Sequence, residues 1–345
     1  MEATSHEPTK KGRRNQGLER GIQPGSLSTD ATPLAASGAN GAAVDDEPEA
    51  SSGLLAKGEK WRLVQEDCIL HMPTMPAQSV DLAVFSPPFP SLFAYTDQPN
   101  DIGNAEDFRG DAKLHLRFFA NQLVRVVKPG RVVCIHCQQI PGLKRNGEAS
   151  TIDFRGLLIR VAKAAGFSYE TDWPITKNPQ AQAIRTRSRK LQFAGLEADR
   201  AQSAPAFNDY IIKLRAPGEN QVPVDQHSLS RQEWIDWAEG VWDWRSVSAT
   251  DVLNTYEGKG TDDTKHICPL QLPVIRRLVR LFSNPGEIVF SPFAGIGSEG
   301  YESLLQGRRF YGCEIKGEYI AAARKNLAAA EASEHDQLCL FEGIA

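Results

Sequence analysis

The stretch Glu287-Ile-Val-Phe-Ser-Pro-Phe-Ala-Gly-Ile-Gly-Ser-Glu-Gly-Tyr301 decides the fold. Ile288 to Phe290 form a short run of strand-forming residues that stops at Ser291-Pro292. Gly295, Gly297 and Gly300 then allow a tight turn, and Tyr301 to Gln306 read as the helix that follows. Strand, glycine turn and helix together make a cradle for a nucleotide cofactor, because glycine lets the backbone approach a ligand closely. Further on, Arg308-Arg-Phe-Tyr-Gly-Cys-Glu314 reads as a second strand ending in a carboxylate. An α/β cofactor fold places an acid there to take the two hydroxyls of a ribose.

The same glycines satisfy G-x-G-x-x-G, the dinucleotide fingerprint, so a nicotinamide dehydrogenase is one reading of this turn. Such an enzyme carries both nucleotide-binding halves after the turn, whereas here the sequence stops at Ala345. The rest of the sheet must therefore come from upstream, which makes the order of elements circularly permuted.

Composition narrows the class. The 345 residues are 41% hydrophobic and 24% charged, as in a soluble chain of one or two domains. A net charge of -4 gives no global attraction to nucleic acid, so contact with DNA would rest on a local patch. No apolar run approaches the ~18 residues that span a membrane. The N-terminus has no apolar core of a secretory signal. The six cysteines are irregularly spaced, which suits reduced thiols in a cytoplasm.

Residues 1–56 hold few large apolar side chains and are expected to form a disordered tail, with a basic start at Lys10, Lys11, Arg13 and Arg14. The folded domain is expected over 57–345. Arg62 to Asp67 reads as a strand ending in acid, and Ser79 to Ser86 as a continuously apolar buried strand. That strand runs into Ser86-Pro87-Pro88-Phe89. Two prolines hold the backbone extended and leave a carbonyl with no neighbouring N–H. A small hydroxyl beside a free carbonyl can accept both hydrogens of one exocyclic amino group, and the aromatic ring can stack on the same base. These are the means to use the amine of a flipped-out base as a nucleophile.

Ser86-Pro-Pro-Phe89, followed by Phe290-Ser-Pro-Phe-Ala-Gly-Ile-Gly297, resembles the S-adenosylmethionine-dependent DNA amino-methyltransferases, which act on N4 of cytosine or N6 of adenine. With the catalytic loop first and the cofactor loop last, the order is similar to that of the permuted β class, and closest to methylases of phages and prophages. The resemblance runs from about Trp61 to Leu327. It includes Gln65-Glu-Asp67-Cys, Leu123-Val-Arg-Val-Val-Lys-Pro-Gly130 and His266-Ile-Cys-Pro-Leu-Gln-Leu-Pro273. It implies a three-layer, Rossmann-like α/β fold with a mostly parallel sheet, and S-adenosylmethionine as cofactor. Phe290, Phe293, Gly295 and Gly297, with Ser298, would line its methionine and ribose. Glu314 would take the ribose hydroxyls, Asp67 would lie near the adenine, and the segment from His266 would add contacts. Many relatives have an acid where this chain has Ser291, which alters the contact to the methionine amino group.

Between the two loops the pattern alternates. Leu114 to Val127 reads as a helix ended by Lys128-Pro-Gly130, Arg131 to Cys137 as a strand, Asp153 to Ala165 as a helix and Asn208 to Leu214 as a strand near an edge. Cys134, His136 and Cys137 lack the further ligands of a tetrahedral metal site, and alternation in a buried strand accounts for the cysteines. The catalytic half is expected over 57–175 and the cofactor half over 266–330. Two inserts, about 176–206 and 218–265, are the expected target-recognition segments. The first carries Lys177, Arg185, Arg187, Arg189 and Lys190 and is expected to form an exposed loop on DNA phosphates. The second holds Trp234, Trp237, Trp242 and Trp244, which read as packing a small helical subdomain. Ile267 to Phe282 and Lys316 to Ala332 read as the closing helices, with Leu338 to Phe341 beyond.

The resulting expectation is a methyltransferase acting on double-stranded DNA. The target base stacks on Phe89, its amino hydrogens bond to the Ser86 hydroxyl and the Pro87 carbonyl, and the proton leaves to solvent after in-line transfer. Under the resemblance, Ser at the first loop position goes with cytosine N4, and Asp or Asn with adenine N6. A DNA-binding protein on an inactive scaffold, a homodimer and a partnership with a restriction endonuclease remain open.

Overall fold

The computed structural model describes residues 53–90, 102, 110–141, 151–186, 191–224, 229–254 and 269–342. The expected tail, apart from its last residues, lies outside this set, as do His266, Arg187, Arg189 and Lys190.

Eight strands form one sheet: β1 (Leu54–Lys57), β2 (Trp61–Gln65), β3 (Val80–Phe85), β4 (Val127–Gln138), β7 (Ser168–Ile175), β8 (Asp209–Arg215), β9 (Ile288–Ser291) and β10 (Arg309–Glu314). A separate ribbon pairs β5 (Ile140–Pro141) with β6 (Thr151–Ile152). Their order across the large sheet is β1-β2-β10-β9-β3-β4-β8-β7. The five from β2 to β4 are parallel, and β1, β8 and β7 pair antiparallel at the two sides. The late strand β9 thus sits beside the early strand β3, with Leu82 opposite Val289 and Ala83 opposite Phe290.

Strand alternation divides the side chains between two cores. Ala83, Phe85, Val133, Ile135 and Phe290 face one side, covered by α2 (Asp111–Val126) and α3 (Phe154–Ala164) through Leu116, Phe119, Leu123, Leu157 and Val161. Leu82, Val84, Val132, Cys134 and Val289 face the other, covered by α7 (Leu272–Phe282) through Val274, Ile275, Leu278 and Val279. On that side α8 (Ser298–Leu305) and α9 (Gly317–Glu342) close the sheet over Trp61, Leu63 and Phe310. This is the three-layer α/β architecture with a mostly parallel sheet that the sequence implies.

A charged clamp ties the starts of the three central strands. One Asp81 carboxylate oxygen accepts the Ile288 N–H at 2.9 Å, and the other accepts Lys128 Nζ at 2.6 Å. Arg131 donates to the Asp81 carbonyl at 2.8 Å and forms an ion pair with Glu287. Glu287 in turn accepts the Asn284 N–H at 2.7 Å. Arg131 is 3% exposed, so its charge depends on these partners.

Several boundaries differ from the sequence reading. Residues 54–56, expected at the end of the tail, form β1 together with Lys57, because a short apolar run can complete the open edge of β2. The edge strand β7 carries no alternation that announces it, since five of its eight residues are polar or proline. Residues 179–186, expected as loop, form the helix α4 (Pro179–Thr186). Asn178 caps it by accepting the N–H groups of Gln180 and Ala181 at 3.0 and 3.1 Å, and Pro179 fits the first turn. The final helix runs on through 338–341 to Glu342.

Replacing Arg131 by Ala leaves the largely buried Glu287 carboxylate without its cation and the Asp81 carbonyl without its donor. Urea denaturation is expected to show a loss of ~3–5 kcal/mol. Replacing the half-exposed Lys128 by Ala takes the cation from the buried Asp81 carboxylate, which keeps the Ile288 N–H, and is expected to cost ~1–3 kcal/mol.

Candidate active site

All five parallel strands deliver their carboxyl ends to one rim of the sheet, where α/β enzymes hold ligands. The glycine turn lies at the end of β9. Gly295 and Gly297 have φ of +54° and +86°, in the left-handed region that favours glycine, and Gly297 caps α8. A Cβ on Gly295 would meet nothing within 4 Å, so the turn opens onto free space. Gly300 has a different task. A Cβ there would come within 2.4 Å of Leu327 and 2.5 Å of Phe310, so glycine is what lets α8 pack against α9 and β10.

Glu314, at the end of β10, accepts the Gly295 N–H at 2.8 Å and the Lys316 N–H at 2.9 Å. The carboxylate expected at the ribose therefore also pins the turn to its neighbouring strand. Asp67 follows β2 and caps the one-turn helix α1 (Cys68–His71) by accepting the Ile69 N–H at 2.9 Å. Phe293 is partly buried, its ring 5.8 Å from Phe85 and 5.2 Å from Phe119. Phe290, expected to line the cofactor, is fully buried against Tyr311, so it supports the turn from beneath. The hydroxyls of Ser291 and Ser298 are buried with no hydrogen-bond partner among the described residues. Free space over the turn, two partnerless hydroxyls and a carboxylate at the next strand fit a cofactor with a ribose and an amino-acid end.

Ser86 leaves β3 two residues after Val84, and His136 sits two residues after Cys134 in β4. Val84 and Cys134 are register partners, so strand periodicity brings Ser86 and His136 together on one face. Ser86 Oγ lies 3.1 Å from His136 Nδ1. The other ring nitrogen, Nε2, approaches Asp209 Oδ2 at 3.2 Å, an ion-pair contact whose alignment falls short of a hydrogen bond. Asp209 opens the antiparallel β8 and faces the end of β4 opposite Gln138. Burial alone would raise its carboxyl, but His136 and Lys177 outweigh that and hold it below the usual carboxylate range.

Lys177, expected on DNA phosphates, has a side chain only 11% exposed and forms an ion pair with Asp209. Its charge is spent within the protein. Arg185 falls at the end of α4. Phe89 is partly buried and packs its ring 5.7 Å from Phe154. Cys134 and Cys137 lie in opposite cores, which separates their thiols across the sheet, and burial pushes the Cys134 thiol up to about 12. In the second insert Trp242 is fully buried and stacks 5.4 Å from Trp173, while Trp234 is 59% exposed on the short helix α6 (Arg231–Trp237).

Comparison with known proteins decides the family. The model of the DNA methylase family, which groups N6 and N4 methyltransferases, matches residues 80–325. The chain belongs to the N6/N4 DNA methyltransferase family. The DNA adenine methyltransferase YhdJ of Escherichia coli is 32% identical over 81% of the chain and 87% of its own length. The type II methyltransferase M.BglI of Bacillus subtilis is 33% identical, over 32% of the chain and 28% of its own length. Two solved structures share the fold at a TM-score of 0.56. One is a DNA modification methylase of Thermus thermophilus complexed with S-adenosyl-L-methionine, at 20% identity over 77% of the chain and 93% of its own. The other is the cytosine-N4-specific PvuII methyltransferase, at 16% identity over 79% and 92%. The chain is thus a methyltransferase that acts on DNA, and the dehydrogenase reading of the three glycines falls away. No described helix is long and apolar enough to cross a membrane.

His136 and Asp209, which the structure brings to Ser86, are not among the site residues expected from the sequence. His136 enters the sequence reading only beside Cys134 and Cys137, as a member of an incomplete metal site. Asp209 gave one local signal, an acid opening a strand, but its significance depends on that strand running antiparallel to β4.

A Lys177→Ala variant tests where that charge acts. Plots of log Kd for duplex DNA against log salt are expected to keep their slope, where loss of a phosphate contact would shift it by about 1. Turnover is expected to fall.

Proposed function

We propose that this DNA methyltransferase transfers a methyl group from S-adenosylmethionine to N4 of a flipped-out cytosine, with the catalytic-before-cofactor order of the permuted β class. The observation that carries this reading is the chain of contacts from Ser86 through His136 to Asp209, at the carboxyl ends of β3 and β4.

When bound, S-adenosylmethionine supplies an electrophilic methyl on a positive sulfur, a good leaving group. The protein's own groups prepare the nucleophile. With its proton on Nε2, next to Asp209, His136 offers Nδ1 to accept the Ser86 O–H. The Ser86 oxygen then keeps its lone pairs for an amino hydrogen of the base, and the Pro87 carbonyl takes the other. Both bonds draw the nitrogen lone pair away from the ring and towards the incoming methyl. Phe89, backed by Phe154, stacks on the base. After transfer the amino nitrogen is cationic and releases a proton to Ser86, whose own proton passes to His136. Asp209 stabilises the imidazolium that results. This route replaces release straight to solvent and needs neither a metal nor a covalent enzyme intermediate.

The first insert suits target recognition. Its helices α4 and α5 (Phe193–Ala198) leave Ile184 79% and Phe193 71% exposed, apolar groups able to press into a groove, and the same stretch of sequence carries Arg185, Arg187, Arg189 and Lys190. The type II names of partial relatives favour a restriction–modification setting with a cognate endonuclease.

A second reading, N6 of adenine, is favoured by the similarity to YhdJ over most of the chain. Transfer of labelled methyl from S-adenosylmethionine to mixed-sequence duplex DNA, followed by mass spectrometry of the nucleosides, separates the two. N4-methylcytosine is expected, and N6-methyladenine would overturn the choice of base. Ser86→Ala is expected to lower kcat by ~10²–10⁴ with cofactor binding retained. An unchanged kcat would remove Ser86 from the mechanism.

A further inference from the structure

Glu299 is a buried carboxylate for which the described residues supply no cation. It is the second residue of α8, two residues after the left-handed Gly297, and is 5% exposed. Glu302, one turn along, shows how the fold treats such a group elsewhere: Arg276 holds it with bonds of 2.9 and 3.2 Å. Glu299 has only its own backbone N–H, and the charge acting on it is another carboxylate, Glu314. Burial first, and then Glu314, push its carboxyl up to about 8.

The charges on the elements packed against α8 are committed elsewhere or face solvent. On α7, Arg276 is taken by Glu302, Arg277 lies over the rings of Trp237 and Trp242, and Arg280 pairs with Glu233. Leading into α9, Lys316 lies over the Tyr319 ring, and Glu318, Arg324 and Lys325 are exposed. On β10, Arg309 donates to the Gly286 carbonyl and Glu314 holds the Gly295 and Lys316 N–H groups. A second observation points to a ligand. The hydroxyls of Ser291 and Ser298, 0% and 3% exposed, flank the same turn and lack partners among the described residues.

A buried carboxylate is costly unless a cation joins it. The cofactor named above, on which this inference rests, has two positive centres, its sulfonium and its α-ammonium. A carboxylate against the sulfonium would stabilise the reactant more than the transition state, where that charge disperses, and would slow transfer. The ammonium keeps its charge throughout and donates hydrogen bonds, so pairing there adds affinity at no cost to the barrier. We propose that Glu299, assisted by the Ser291 and Ser298 hydroxyls, is the receptor for the α-ammonium of the cofactor's methionine end. Binding at neutral pH then ionises Glu299 and releases a proton.

The test is calorimetric binding of three ligands to the full chain. S-adenosylhomocysteine has the amine and the carboxylate, decarboxylated S-adenosylmethionine keeps only the amine, and methylthioadenosine has neither. Glu299→Gln, with its thermal midpoint checked, is expected to weaken the first two by roughly 10–100-fold and to leave the third unchanged. Wild-type titrations with S-adenosylhomocysteine in buffers of different ionisation enthalpy are expected to report proton release near pH 7, without need of any variant. Equal weakening of all three ligands, no weakening, or no proton release would overturn the role of Glu299. Failure of the wild type to bind any of them would instead overturn the cofactor reading itself.

Discussion

The pairing of β3 with β9 is the constraint on which the rest of this molecule depends. The two strands are separated by some two hundred residues of chain, yet they lie side by side at the centre of the sheet with Ala83 opposite Phe290. A short parallel pair such as this has few ladder bonds of its own. It is held from below by Asp81, whose carboxylate reaches across to the Ile288 N–H, and by Arg131, which joins the Asp81 carbonyl to Glu287. These charges are shielded from water, so their geometry fixes the relative height of the strands. Everything at the opposite rim follows from that height, since Ser86 and Ser291 are the next steps of the same two strands.

The rim itself divides into two chemistries separated by the β3–β9 boundary. On the β9 side the groups are a glycine turn, two hydroxyls and the acids Glu299 and Glu314, suited to a polar ligand with a positive end. On the β3 side they are Ser86, His136, Asp209 and Lys177, a line of alternating proton donors and acceptors. A methyl donor held on one side and an amino group held on the other would meet over the boundary. Burial strengthens both sets, because charges and hydrogen bonds count for more where water is excluded.

Much of this was legible in the residues. The apolar runs of β3 and β9, the glycines after β9 and the acid ending β10 are local patterns whose physics is contained within a few residues. The amphipathic faces of α2 and α7 were likewise readable from spacing. The weaker elements were not. Strand β7 is polar because one face of an edge strand meets solvent, and α4 depends on a single Asn178 cap followed by proline, a signal easily read as a loop.

The sequence by itself determined the kind of fold and the two loops at the rim of the sheet, because Ser86-Pro-Pro-Phe89 and the turn at Gly295 and Gly297 take their conformations from their own residues. Only the tertiary structure decided which side chains serve those loops. Lys177 reads as a phosphate contact in a basic stretch, and becomes an ion-pair partner of the buried Asp209 once β8 runs antiparallel to β4. His136 reads as an inward strand residue and becomes the neighbour of Ser86 through the register of β3 on β4. Glu299 reads as a polar residue at a helix start, and only the packing of α8 against α7, α9 and β10 removes it from water. Such partnerships join strands and helices far apart in the chain, so their energies belong to the assembled sheet and leave no mark on local sequence.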